Sequence, residues 1–279
     1  MSARGGRGAR HAGGASQRRR RRGSVDDERS LDRGPGLRSR RVRVIYVAVE
    51  GESTEPGYLD YLNKEFGDGD KDRPPFRIQP IWQRNGMLPT ATVAAARQHA
   101  EPEDEAWVLF DRDGTDRDAD IQRAFQDAAE AKAEIGFSHP SFDLWLLLHF
   151  QPFSGAQSGS SKIVVEKLRS ALGAEAFQDY DKRNDKSITS RRRDALRGRE
   201  RAAVANARAL VNACAHSGCS ASQASVDRVD HGSAGAPPLA WPAWSARSGH
   251  ALDCPPLRQD PSTGVWRLLV SLGIVPAAR

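Results

Sequence analysis

Two stretches of the chain are apolar almost throughout. Residues 42–49 read V-R-V-I-Y-V-A-V and residues 106–110 read A-W-V-L-F, both rich in β-branched or aromatic side chains. Short apolar runs that end in polar turns predict strands buried on both faces, the kind found in parallel sheets covered by helices. Residues 76–82 (F-R-I-Q-P-I-W) and the short I-G-F at 135–137 predict two more strands. The segments between them carry helical spacing. Tyr58, Leu59, Leu62 and Phe66 recur at helical intervals behind Thr54, a candidate cap, and Pro56, suited to a first turn. Residues 89–100 are Ala-rich, and residues 118–134 set Ile121, Phe125 and Ala128 on one face. Residues 138–150, S-H-P-S-F-D-L-W-L-L-L-H-F, are apolar nearly all round and predict a buried helix. Strand and helix alternate four times, which predicts an α/β fold with a four-stranded, mainly parallel sheet.

The second half predicts a mostly helical C-terminal part, residues 153–279, behind a core at 41–152. A Gly/Ser linker at 154–162 leads to a short amphipathic helix at 163–172. A basic stretch at 182–201 runs into an Ala-rich helix at 202–214. Residues 220–251 are Ser/Ala/Gly/Pro-rich and predict a long loop whose Trp241 and Trp244 pack back on the body; residues 261–272 predict a capped final helix.

Charge changes the picture at the N-terminus. Residues 1–43 hold fourteen Arg against Asp26, Asp27, Glu28 and Asp32, a net +10, so the remaining chain carries −4 of the total +6. Residues 1–40 have too little apolar surface to offset their ordering entropy and predict a disordered basic tail. Its Arg18 to Arg22 run could grip phosphates by counterion release. No apolar run is long enough to span a membrane, and the basic N-terminus lacks the apolar segment of a secretory signal. Three cysteines, an odd number, suit a reducing cytoplasm. Cys214, Cys219, Cys254 and His216 lack zinc-site spacing and read as ordinary thiols and a histidine.

The candidate chemistry sits where strands end. The apolar run at 106–110 stops at Asp111-Arg112-Asp113-Gly114, and side-chain alternation would aim Asp111 and Asp113 the same way. Ligands of open parallel sheets bind in the crevice at the carboxyl ends of the strands. The first strand ends there too, in Glu50-Gly51-Glu52-Ser53-Thr54-Glu55. In a 2-1-3-4 order Glu50 faces the two aspartates. Three carboxylates in one crevice repel unless a cation sits between them, and hard oxygen ligands suit Mg²⁺ or Mn²⁺. Glu52, Glu55 and Asp143 are candidates for a second metal or for the shell around the first.

The same residues carry a family resemblance. V-A-V-E-G-E-S-T-E-P-G-Y at 47–58, W-V-L-F-D-R-D-G at 107–114, the S-H-P-S-F-D-L-W segment at 138–150 and D-P-S-T-G-V at 260–265 together resemble the RloB-like family, which includes abortive-infection proteins. His139, Asp143, Asp260 and Gly264 depart from that pattern, where Asn, Glu, Asn and Thr are expected. The family is similar to Toprim domains, so the resemblance implies a Toprim-like Rossmannoid fold with Glu50, Asp111 and Asp113 as its acids. It implies a divalent-metal-dependent nuclease of an anti-phage defence system, acting on DNA or RNA with a separate ATPase partner. G-A-Q-S-G-S-S-K at 155–162 misses phosphate-loop spacing, so the chain has no ATPase signature of its own. Lys182, Arg191, Arg192 and Arg193 are candidates for substrate phosphate, and a homo-oligomer stays open. Two alternatives remain. F-D-R-D-G-T at 110–115 also resembles the first motif of HAD-type phosphatases, and a non-catalytic nucleic-acid-binding or sensor protein could keep the same fold.

Overall fold

The computed structural model describes residues 42–100, 104–157, 160–226 and 240–277. The basic tail expected at 1–40 lies outside the described residues. Elements follow in the order β1 (Arg43–Val49), α1 (Thr54–Phe66), β2 (Phe76–Ile81), α2 (Pro89–His99), β3 (Glu105–Asp111), α3 (Asp118–Ala131), β4 (Glu134–His139) and α4 (Phe142–Leu148). Then come α5 (Lys162–Ser170), α6 (Ser190–Leu196), α7 (Glu200–Asn212), α8 (Trp241–Ala246), β5 (Ser262–Thr263) and α9 (Trp266–Ser271).

The sheet order is β2-β1-β3-β4-β5. The first four strands are parallel and run in the order 2-1-3-4, the arrangement under which Glu50 faces the two aspartates. The expected count of four is corrected to five. Ser262 and Thr263 pair antiparallel with His139 and Ser138, and the hydroxyls of Ser138 and Thr263 lie 3.1 Å apart. Two polar residues give no apolar run, so sequence pattern does not reveal this strand. The last helix consequently starts at Trp266, not at 261. In the same region β4 reaches His139 and α4 begins only at Phe142. Pro140 explains the delay, because the residue before proline is held extended.

The sheet is buried on both faces, and its alternation divides the core. Ile45, Val47, Val49, Trp107 and Leu109 face α1, α4, α5, α7 and α9. Ala48, Ala106, Val108 and Phe110 face α2, α3 and α8. All seven residues of α4 are buried, as a helix apolar nearly all round requires. Because α5, α7 and α9 share their core with the sheet, the described residues form one compact unit. The loop expected at 220–251 contains α8. Trp244 is buried there and donates from its indole to the Ala133 carbonyl at 2.9 Å, whereas Trp241 stays exposed. Residues 227–239 of that stretch lie outside the described residues. Among the described residues, no helix is long and apolar enough to cross a membrane.

At the amino ends of the strands, two buried acids have basic partners. Glu105 takes hydrogen bonds from Arg43 at 2.8 and 2.5 Å and from the Trp107 indole at 3.0 Å. Glu134 is held by Arg247 and Arg267, each at 2.5 Å. These contacts fasten β1 to β3 and bind the C-terminal helices to β4.

Candidate active site

The carboxyl ends of β1 and β3 and the start of α4 open into a cleft of about 550 Å³. Glu50 follows β1 directly. Its backbone N–H extends the ladder to the Leu109 carbonyl at 3.0 Å, and its Oε2 accepts the Asp111 N–H at 3.0 Å. Its other oxygen is paired with Arg117, from the turn before α3. Gly51 permits the turn into α1, where a Cβ would collide with the Glu55 carboxylate. That carboxylate, in the first turn of α1, accepts the Gly51 N–H at 3.2 Å. Thr54 is the first helical residue rather than the cap, a position taken by Ser53. Its hydroxyl donates instead to the Lys186 carbonyl at 2.9 Å and lies 3.1 Å from the Tyr180 hydroxyl.

Asp111 closes β3, and its Oδ2 accepts the Phe142 N–H at 2.8 Å, which joins the strand end to α4. One residue into α4, Asp143 takes three bonds: from Ser141 Oγ at 3.2 Å, from the Tyr180 hydroxyl at 2.5 Å and from Lys186 Nζ at 2.9 Å. Asp113 reaches the same cleft by another route than strand alternation. The strand has ended at Asp111, Gly114 turns with φ +95°, and Asp113 is exposed at the rim. Arg112 between them leaves the cleft. It forms a bidentate pair with Asp118, at 2.8 Å on each arm, and donates to the Leu257 carbonyl at 2.8 Å.

Seven carboxylates line the cleft against two cations, Arg117 and Lys186. Burial, followed by the charges of Glu55 and Glu50, pushes Asp111 well above the usual carboxylate range. Burial, then Asp143 and Glu50, raises Glu55 to about 7. Glu50 is also raised, because burial outweighs the Asp111 N–H and Arg117. Burial works against the charge on Lys186, but the charge and hydrogen bond of Asp143 prevail and raise it. Like charges held in a dry site take up protons unless a cation replaces them.

Of the acids singled out by the strand ends, Glu50, Asp111 and Asp113 share this cleft. Glu55 and Asp143 are buried within it, and Glu52 stands exposed at its edge, accepting the Asn85 N–H at 2.7 Å. The basic candidates fare differently. Lys182 is exposed and does not line the cleft; Lys186 does. Arg192 is corrected to a core residue. It is buried against the Phe177 and Tyr180 rings and bound to Asp179 at 2.9 Å and to the Ser187 carbonyl at 2.5 Å. Arg193 is bridged to Asp60 at 2.8 Å, and Arg191 is exposed. Sequence reasoning missed Arg117 and Lys186 as cleft residues, and Tyr180 as the buried partner of Asp143. The packing of later segments places the last two, and no spacing encodes that.

A model of the family described as RloB-like protein matches residues 45–272. The chain belongs to the RloB-like family. The matched segment of this RloB-like chain takes in every acid of the cleft as well as Arg117, Tyr180 and Lys186. No curated protein and no solved structure matches the chain.

Proposed function

We propose that the cleft is the active site of a Toprim-like nuclease that hydrolyses phosphodiester bonds with the help of Mg²⁺ or Mn²⁺. The observation that carries this reading is the crowding of four acids, buried Glu55 and Asp143 beside half-buried Glu50 and Asp111, at the carboxyl edge of a parallel sheet, with the proton affinities of Glu50, Glu55 and Asp111 driven up. Such a set is electrostatically incomplete, and oxygen donors suit a hard divalent ion. Among the described residues, only a group of cysteines and a histidine brings three or more such ligand atoms within 4.8 Å of one another. Among the described residues no three of the acids meet that closely, and Mg²⁺ keeps several waters and takes only one or two carboxylates directly.

Glu50, Asp111 and Asp113 would hold the ion, with Glu52, Glu55 and Asp143 around it or around a second one. When bound, it supplies Lewis-acid stabilisation and an acidified water. The chain's own groups do the rest. Lys186, fixed on Asp143, presents a positive charge for a phosphate oxygen. Arg117 holds Glu50 in place while adding a second positive charge to the wall. Tyr180 locks Asp143 from behind, so the carboxylate cannot turn away. We further propose that the protein acts in the cytoplasm, in an anti-phage system with a separate ATPase partner. That part rests on the family resemblance and on the lack of a phosphate-binding loop in the sequence.

The test is incubation of the purified chain with Mg²⁺ or Mn²⁺ and labelled DNA and RNA, beside a small phosphomonoester. Metal-dependent cleavage of a polynucleotide is expected. Release of phosphate from the monoester alone would favour the phosphatase alternative, and binding without cleavage the non-catalytic one.

A further inference from the structure

Just past the end of α7, the fold gathers all three cysteines of the chain. One ligand atom each from Cys214, Cys219, His250 and Cys254 lies within 4.8 Å of all the others. We propose that these four residues form a closed structural zinc site. The distances suit the ion. Zinc with Zn–S bonds of about 2.3 Å and a Zn–N bond of about 2.0 Å, set tetrahedrally, requires S···S edges of about 3.8 Å and S···N edges of about 3.5 Å. Cys214 Sγ and Cys254 Sγ are 3.8 Å apart, and Cys254 Sγ is 3.7 Å from His250 Nδ1. A disulfide would need about 2.05 Å.

The backbone is arranged around the cluster. Cys214 follows the end of α7, its N–H bonded to the Val211 carbonyl at 3.2 Å. Gly218, with φ +83°, turns the chain into Cys219. Gly249, with φ +93°, precedes His250, and a Cβ there would sit 2.6 Å from the Ser220 carbonyl. The Ser220 N–H in turn donates to the Gly249 carbonyl at 2.8 Å. Ala251 N–H lies 3.4 Å from Cys219 Sγ, an outer bond that favours a thiolate. Cys-x₄-Cys and His-x₃-Cys each match a usual ligand pair in spacing. The sequence reading set His216 beside the cysteines, so it found no pattern; the histidine that completes the set lies beyond residues 227–239.

The site has a structural task. It ties the end of α7 to residues 250–254. A few residues further on, the Leu257 carbonyl receives Arg112 and Asp260 lies 3.5 Å from His139. The zinc clip thereby anchors the segment that braces the Asp111–Asp113 loop from outside.

The experiment uses the full chain, purified reduced and without a histidine tag. Elemental analysis is expected to find about one zinc per chain. Cys214→Ser, Cys254→Ser and His250→Ala should lose it, whereas His216→Ala should keep it. Stripping zinc from the wild type should lower its Tm, and Zn²⁺ but not Mg²⁺ should restore it. To keep the test independent of whether the cysteine variants fold, Co²⁺ is also added to the stripped wild type. Intense visible absorption with a thiolate charge-transfer band is expected for tetrahedral sulfur ligation. Three freely titrating thiols in the native chain, a weak octahedral Co²⁺ spectrum, or a Cys214–Cys254 disulfide in the reduced preparation would each overturn the proposal.

Discussion

The two ends of the parallel sheet treat buried acids in opposite ways. At the amino end, Glu105 and Glu134 are almost fully buried, and each is matched by arginine: Arg43 for one, Arg247 and Arg267 for the other. At the carboxyl end, Glu55 and Asp143 are buried and Glu50 and Asp111 half-buried, yet only Arg117 and Lys186 stand among them. Burial of a carboxylate is therefore not in itself a functional signal. What separates the two ends is the balance of countercharge. A matched acid is a structural joint, whereas an unmatched group of acids is a place for a cation.

The largest expected effect breaks the carboxyl end. Glu50→Gln and Asp111→Asn keep side-chain size and remove charge, and each should lower polynucleotide cleavage by about 10³-fold or more if both acids act through a metal. Their circular dichroism should match the wild type. Monoester hydrolysis that survives Glu50→Gln but not Asp111→Asn would instead assign Asp111 as a covalent nucleophile.

A change at the amino end should act on stability alone. Glu134→Ala leaves Arg247 and Arg267 without their shared acid, and a loss of about 3–5 kcal/mol in denaturant unfolding is expected. Cleavage by the folded fraction should be unaffected. A selective loss of cleavage would erase the distinction between the two ends.

Glu55 gives the comparison a pH dependence. Its ordinary value of 4.5 is raised to about 7, so the folded chain binds this proton more tightly than the unfolded one. The resulting stability is complete below pH 4.5 and is lost as pH rises through 7. Glu55→Gln removes that loss and should stabilise the metal-free chain at pH 8 by about 2–3 kcal/mol. His139 works in the other direction: burial lowers it to about 4, so its contribution is lost as pH falls below 6.5. The difference between wild type and Glu55→Gln isolates the glutamate, and a pH-independent difference would remove it from the crowded set.

Much of this arrangement was legible in the chain. Apolar runs located β1 to β4, and their alternation with helices pointed to a parallel sheet; that β1 lies beside β3, which brings Glu50 next to Asp111, came from the structure. Each of those acids directly follows or closes a strand, so position along the chain translates into position in the fold. Glu55 was legible for a related reason, as part of the acidic run that follows β1. Lys186 and Tyr180 were not, because they reach Asp143 through the packing of a segment without regular spacing. Arg192 was misread for the complementary reason: a run of arginines in sequence resembles a phosphate-binding face, but the helix turns one of them into the core. The two-residue β5 and the partnership of His250 with the cysteines both depend on chain segments meeting late, which periodicity does not encode.

Calorimetric titration of Mn²⁺ into the full, reduced chain tests the central claim most directly. The account predicts binding that disappears in Asp111→Asn and persists in Glu105→Gln, because the unmatched acids, not the matched ones, need a cation. Absence of binding to the wild type, or equal affinity in Asp111→Asn, would contradict it.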